Sequence, residues 1–121
     1  MPKKSATSIR PRLRINLGEE IALGPGKVDL LKGLRDSGSI TRAAEQLGMS
    51  YMRAWTLIRT MNRCFKTPLV SATRGGIKGG GGAELTETGH QVLSLYERMN
   101  KKTLAAVKND WRELQKLLRV A

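Results

Sequence analysis

Residues Gly38 to Asn62 read GSITRAAEQLGMSYMRAWTLIRTMN, and their spacing predicts two short helices joined by a tight turn. Ser39 can accept a free backbone N–H and start the first helix. Ile40, Ala43, Ala44 and Leu47 recur at steps of three and four, which makes one apolar stripe. Gly48 can end that helix in a left-handed conformation that costs glycine little. Ser50 can cap a second helix, with Ala54, Ile58 and Met61 as its matching stripe. The alanines at 43, 44 and 54 leave room for two helices to cross closely. Outside stay Tyr51, Met52, Arg53, Thr56 and Arg59, a mixed polar and basic face on the first half of the second helix. This is the layout of a helix-turn-helix, whose second helix enters the DNA major groove. An ordinary packed helical pair is the alternative for the stretch taken alone.

Around it the chain falls into three parts. Residues 1–11 hold Lys3, Lys4 and Arg10, two prolines and no apolar period, as expected of a disordered basic arm. Residues 12–85 read as the DNA-binding domain. In 12–17 Leu13, Ile15 and Leu17 alternate with Arg12, Arg14 and Asn16, the pattern of a half-buried strand, and 21–23 is a second short extended piece. Gly24-Pro25-Gly26 breaks the chain, and Val28, Leu30, Leu31 and Leu34 predict a helix over 27–37. Pro68 ends the helical stretch, and 69–73 and 83–85 predict a strand and its return. The run Arg74 to Gly82 holds six glycines and two cations in nine residues. Such a loop exposes backbone N–H groups without bulky side chains, so it reads as a wing that touches DNA through Arg74 and Lys78. A flexible linker is the plainer reading of the same glycines. A nucleotide-binding loop is excluded by pattern, because glycine rather than Ser or Thr follows Lys78.

From Thr86, a cap, residues 86–121 contain no proline and only Gly89 as glycine. Val92, Tyr96, Met99, Thr103, Val107, Trp111, Leu114 and Leu118 follow at steps of four and three. The expectation is one long amphipathic helix of roughly 50 Å at about 1.5 Å per residue, longer than a core this small can cover. The apolar seam then needs a second copy, and Tyr96, Met99, Val107, Trp111, Leu114 and Leu118 are the candidate dimerisation residues. Folding back onto its own domain, with a break near Lys101-Lys102, is the alternative.

Composition sharpens the functional reading. The 121 residues carry a formal net charge of +12, which favours a polyanion, nucleic acid before membrane. Residues 1–85 hold 15 basic and 6 acidic side chains against 7 and 4 in 86–121, so the DNA-reading part is the basic part. No apolar run approaches the roughly 20 residues of a membrane span. The single cysteine, Cys64, lies between Met61 and Phe65 and is expected to be a buried structural thiol. With one histidine, His90, no transition-metal site and no nucleophilic triad can be assembled, so neither an enzyme nor a cofactor is expected. The chain is expected in the cytoplasm, associated with the nucleoid.

The fragments Gly38-Ser39-Ile40, Gly48-Met49-Ser50-Tyr51, Ala54-Trp55, Met61-Asn62, Pro68-Leu69-Val70, the loop Gly75 to Gly82 before Ala83, and Leu85-Thr86 stand in a joint order. That order resembles the N-terminal DNA-binding domain of the ModE family, bacterial molybdate-responsive regulators. Ser39 to Ala44 alone resembles the wider LysR-type helix-turn-helix. The resemblance covers roughly residues 12–120. It implies a mainly α winged helix-turn-helix with a small β wing, dimerisation through the first and last helices, and an inverted-repeat operator. Full-length members continue into a molybdate-binding domain pair. This sequence stops at Ala121, so it reads as a short stand-alone member, with no molybdate site expected within it. On this reading Tyr51, Met52, Arg53 and Thr56 touch base edges, while Ser50, Arg42, Arg59, Arg74 and Lys78 hold phosphates. An architectural DNA-binding protein without sequence preference remains the rival, since arm, charge and wing serve it equally well. A small-ligand sensor is a third reading that no spacing supports.

Overall fold

Gly24 stands extended as the N-cap of α1 (Pro25–Ser37), and Pro25 occupies its first turn. The missing proline N–H costs nothing there, so the apparent breaker is the start of the helix. The computed structural model that shows this describes residues 6–73 and 82–119. Val28, Leu30, Leu31 and Leu34 of α1 are buried, and Gly38 stops it at φ 67° with its N–H on the Leu34 carbonyl. α2 (Ile40–Gln46) and α3 (Tyr51–Cys64) begin on Ser39 and Ser50, whose hydroxyls accept from the N–H of Arg42 and Arg53. Ile40, Ala43 and Ala44 of α2 and Ala54, Ile58 and Met61 of α3 are buried against α1 in one core. Leu47 is the exception in the expected stripe; it is the C-cap of α2 and stays partly exposed. A Cβ on Gly33 of α1 would press against Ala43, so small residues set how closely α1 and α2 cross.

Two antiparallel ribbons flank these helices. β1 (Ile15–Leu17) pairs with β2 (Glu20–Leu23) around Gly18, which has φ 61°. Pairing begins later than the alternation from Arg12 suggests, because Ile15 already stands opposite Leu23, where β2 ends before α1; the register shifts between Ile15 and Asn16. β3 (Val70–Thr73) pairs with β4 (Gly82–Leu85) from Val70 opposite Leu85 to Thr73 opposite Gly82. β4 also docks on the α1–α2 turn, with a bridge from Ser39 to Gly82 and the Ala83 N–H on the Gly38 carbonyl at 3.2 Å. Asn62 fixes the opposite edge. Its Oδ1 accepts from the N–H of Leu69 at 2.8 Å and of Val70 at 3.1 Å, and its Nδ2 donates to the Val70 carbonyl at 3.0 Å. The end of α3 is thereby tied to the base of the hairpin. The glycine loop between β3 and β4, with Arg74 and Lys78, lies outside the described residues.

The C-terminal part departs from expectation in three ways. First, the long helix is two helices, α4 (Glu87–Ala106) and α5 (Lys108–Gln115), with Val107 between them at φ −98°, ψ 4°. The break lies past Lys101-Lys102, at a turn without proline or glycine. There the Thr103 hydroxyl bonds back to the Met99 carbonyl at 2.8 Å, an arrangement that bends helices. Second, Tyr96 is not on an open seam. It is 3% exposed and its hydroxyl donates to the Leu13 carbonyl at 2.7 Å, so α4 is pinned to its own domain. Third, residues 6–11 have no regular structure but are not simply a solvated arm, because Gln115 of α5 donates to the Thr7 hydroxyl at 2.8 Å.

The first turn of α4 is fastened to the hairpin as well. The Thr86 hydroxyl accepts from the Gly89 N–H and donates to the Pro68 carbonyl, and the Thr86 N–H bonds the Leu69 carbonyl. A Cβ on Gly89 would collide with that Leu69 carbonyl oxygen, which is why glycine stands inside this turn.

Candidate nucleic-acid interface

Burying Ala54, Ile58 and Met61 decides what α3 shows to solvent. At 3.6 residues per turn, Met52, Thr56, Arg59 and Arg63 share the opposite stripe. Met52 is 68% exposed, an apolar side chain held out in water at the start of a helix. The Thr56 hydroxyl donates to the Met52 carbonyl at 3.0 Å, which leaves its oxygen as an acceptor toward solvent. Arg63 is drawn aside into an ion pair with Glu20 of β2.

Trp55 lies on the flank and is half-buried against the core. Its Nε1–H donates to the Tyr51 hydroxyl at 2.7 Å, and the Arg59 guanidinium lies 5.7 Å from its ring centroid. Accepting from Trp55 leaves the Tyr51 proton free to be donated outward. One indole therefore orients two of the expected contact residues, a role absent from the expected contact set. The i, i+4 spacing of 51, 55 and 59 was the available signal.

Ser50 spends an oxygen lone pair on its cap and keeps its proton for an outside acceptor. Arg42 is exposed in the first turn of α2. Arg53 departs from the stripe. Its side chain borders a groove between α3 and the β1–β2 ribbon, together with Met49 and Leu57. The structure thus brings Ser50, Tyr51, Met52, Arg53, Thr56 and Arg59 together at the start and first half of α3, while Arg42 stands on α2. Arg74 and Lys78 fall outside the described residues.

Residues 27–90, from α1 to the first turn of α4, match the bacterial regulatory helix-turn-helix proteins of the lysR family. The chain belongs to that family. This LysR-type chain is 36% identical over 109 residues to the transcriptional regulator ModE of Yersinia pestis, covering 88% of this chain and 41% of that protein. It is 40% identical over 85 residues to the DNA-binding transcriptional dual regulator ModE of Escherichia coli strain K12, covering 70% and 32%. The chain spans about two fifths or less of the length of these curated relatives. A crystal structure of a LysR family transcriptional regulator aligns over 69% of this chain and 26% of that one, with TM-score 0.51 at 16% identity, a likeness of fold. The fold is the winged helix-turn-helix of LysR-type regulators, with α3 as the second helix of the motif.

Among the described residues no three of His, Cys, Asp and Glu stand close enough to share a metal ion, and no helix is long and apolar enough to cross a membrane. Cys64 is half-buried rather than enclosed, with its Sγ donating to the second Glu20 oxygen at 3.4 Å. Burial, then the Glu20 carboxylate, push its thiol up from the ordinary range, so it is a poor nucleophile at neutral pH.

Proposed function

We propose that this LysR-type chain is a transcription regulator that binds double-stranded DNA sequence-specifically, as a homodimer on an inverted repeat. The observation that carries this reading is the outward stripe of α3. It offers a thioether at Met52 and a hydroxyl acceptor at Thr56 beside Arg59, with the oriented phenol of Tyr51 on its flank, not a uniform row of cations. Chemically varied groups discriminate base edges, whereas a protein that only coats DNA needs positive charge. Met52 suits a thymine methyl, and Thr56 suits an exocyclic amino group of adenine or cytosine. Ser50, Arg42 and Arg59 serve the phosphates around this face, with Arg74 and Lys78 as wing contacts to the backbone. Arg53 borders both the reading face and the phosphate flank.

Dimerisation is supported by apolar side chains exposed on α4 and α5, Met99 and Leu114 among them, and by Leu118, which lies past the end of α5 at Gln115 and so off the expected helix, with Val107 and Trp111 half-buried. Tyr96 drops out of that set because its own domain covers it. Two copies related by a two-fold axis would set their α3 helices one turn of DNA apart, about 34 Å.

Selection from a pool of random duplexes, followed by sedimentation of the complex, tests the reading. The expected result is an enriched palindrome bound by two chains, at least about 10³-fold tighter than scrambled duplex at physiological salt. Equal binding of every sequence, with a steep salt dependence, would replace the regulator by an architectural protein.

A further inference from the structure

The flank of α3 that faces the β1–β2 ribbon holds a groove of about 270 Å³ that the base-reading face does not use. Arg12 and Arg14 of the strand-like entry, Lys27 of α1 and Arg53 of α3 line it, and no carboxylate does. Glu20 of β2 acts on Lys27 through its charge, but its carboxylate does not line the groove and is hydrogen-bonded by Arg63 and Cys64. Gly24, Pro25 and Gly26 form the groove wall, so the start of α1 opens into it. That start has no side-chain cap and no acid in its first turn, whereas α2, α3 and α4 each carry a Ser or Thr cap. The positive end of the helix dipole adds to the four cations instead of opposing them. Lys27 donates to the Ile21 carbonyl, and partial burial pushes its ammonium pKa down, opposed by the Cys64 and Glu20 charges nearby.

Position gives this charge its partner. A helix lying in the major groove, about 12 Å wide, has a phosphate strand along each side. Arg53 and Leu57 stand roughly a quarter-turn around α3 from Met52 and Thr56, so the groove falls where one of those strands would run. We infer that the groove between the β1–β2 ribbon and α3 seats backbone phosphate of the bound DNA, with Arg12, Arg14 and Lys27 as its cations and Arg53 joining it to the reading face. The inference rests on the proposed DNA-binding function and deepens it. Arg12 and Arg14 are both exposed in the segment that leads into β1 and both line the groove, so they reach the same strand without any rearrangement of the core. Phosphate held this way fixes the depth and register of α3 while carrying no base information.

The test measures binding to the enriched duplex and to scrambled duplex across a salt series for the full chain, Arg12→Gln/Arg14→Gln, Lys27→Gln and a control, Lys101→Gln/Lys102→Gln. The control removes the same charge as the double variant from the exposed side of α4. Expected is a loss of about tenfold or more for the double variant on both duplexes. The slope of log K against log salt should flatten by about one for each phosphate lost. Lys27→Gln should show a smaller loss of the same kind, and the control should stay within about twofold. Ethylation of DNA phosphates should interfere at positions flanking each half-site for the parent, and these should vanish for Arg12→Gln/Arg14→Gln.

Binding within twofold of the parent, or an equal loss in the control, overturns the inference. So would inorganic phosphate binding to the groove below millimolar concentration while DNA affinity stays unchanged on Arg12→Gln/Arg14→Gln, which would make it a free-anion site. The two readings separate in the scrambled duplex. A parent without sequence preference whose variants still lose affinity and slope refutes the regulator and keeps the phosphate seat. A parent with strong preference and unaffected variants does the reverse. A parent that binds no duplex refutes both.

Discussion

Replacing Asn62 with alanine removes three hydrogen bonds at once, to the N–H of Leu69, the N–H of Val70 and the carbonyl of Val70. Leu69 is 0% exposed and Val70 nearly so, which leaves their amides poorly placed to recover a water partner. A net bond is worth about 0.5–1.5 kcal/mol, and an orphaned buried amide costs about 1–3 kcal/mol, so the expected loss is about 3 kcal/mol. Against a total stability of about 5–15 kcal/mol that is a large fraction. Urea unfolding reads it directly. With a slope of about 1.5 kcal/mol per molar, the midpoint should drop by about 2 M with the slope unchanged. Asn62→Asp keeps both accepted bonds and loses only the donated one, so at neutral pH it should fall between parent and alanine variant unless the carboxylate repels the Val70 carbonyl more strongly than the two amides hold it. The alanine result is therefore the decisive one. Because Asn62 ties the end of α3 to the base of the β3–β4 hairpin, DNA affinity should also fall at temperatures where the variant is still folded. A loss under about 1 kcal/mol would falsify the view that Asn62 clamps the base of the β3–β4 hairpin to α3.

Trp55→Phe keeps a ring under Arg59 but removes the donor to the Tyr51 hydroxyl; stability should change by less than about 1 kcal/mol while affinity for the selected duplex falls a few-fold by anisotropy, and unchanged affinity would deny Trp55 its orienting role. Gly89→Ala forces a methyl into the Leu69 carbonyl, so a thermal melt should show a destabilisation of about 1–3 kcal/mol or more, and a neutral result would mean the start of α4 can shift freely. The hydrogen bond from Arg63 holds the Glu20 carboxyl below its ordinary range, so this pair adds stability above the unfolded carboxylate pKa and loses it as pH falls through the folded value; Glu20→Gln should flatten the acid limb of stability against pH, modestly because the pair is exposed. The same substitution removes a carboxylate that raises the Cys64 thiol, so alkylation at neutral pH should become faster, and an unchanged rate would leave burial as the whole cause.

The sequence by itself determined the parts of this protein that depend on neighbours three and four residues away. Ser39, Ser50 and Thr86 cap helices because a hydroxyl reaches an N–H in the next turn. Gly38 and Gly48 end helices because each takes a left-handed backbone conformation there. Ala54, Ile58 and Met61 lie inward, so Met52 and Thr56 must lie outward, and the solvent face of α3 follows from periodicity alone. Tertiary structure decided the rest. An apolar seam has the same spacing whether its own domain or a second copy covers it, so only the packed fold shows Tyr96 bonded to Leu13 and α4 ending before Val107. Nothing local marks Asn62 as a clamp or Gly89 as a point of contact, since their partners come from the β3 end of the chain. The cationic groove is the clearest case. Arg12, Arg14, Lys27 and Arg53 belong to three separate segments of the chain, and their charges act as one field only after the ribbon, α1 and α3 have packed together.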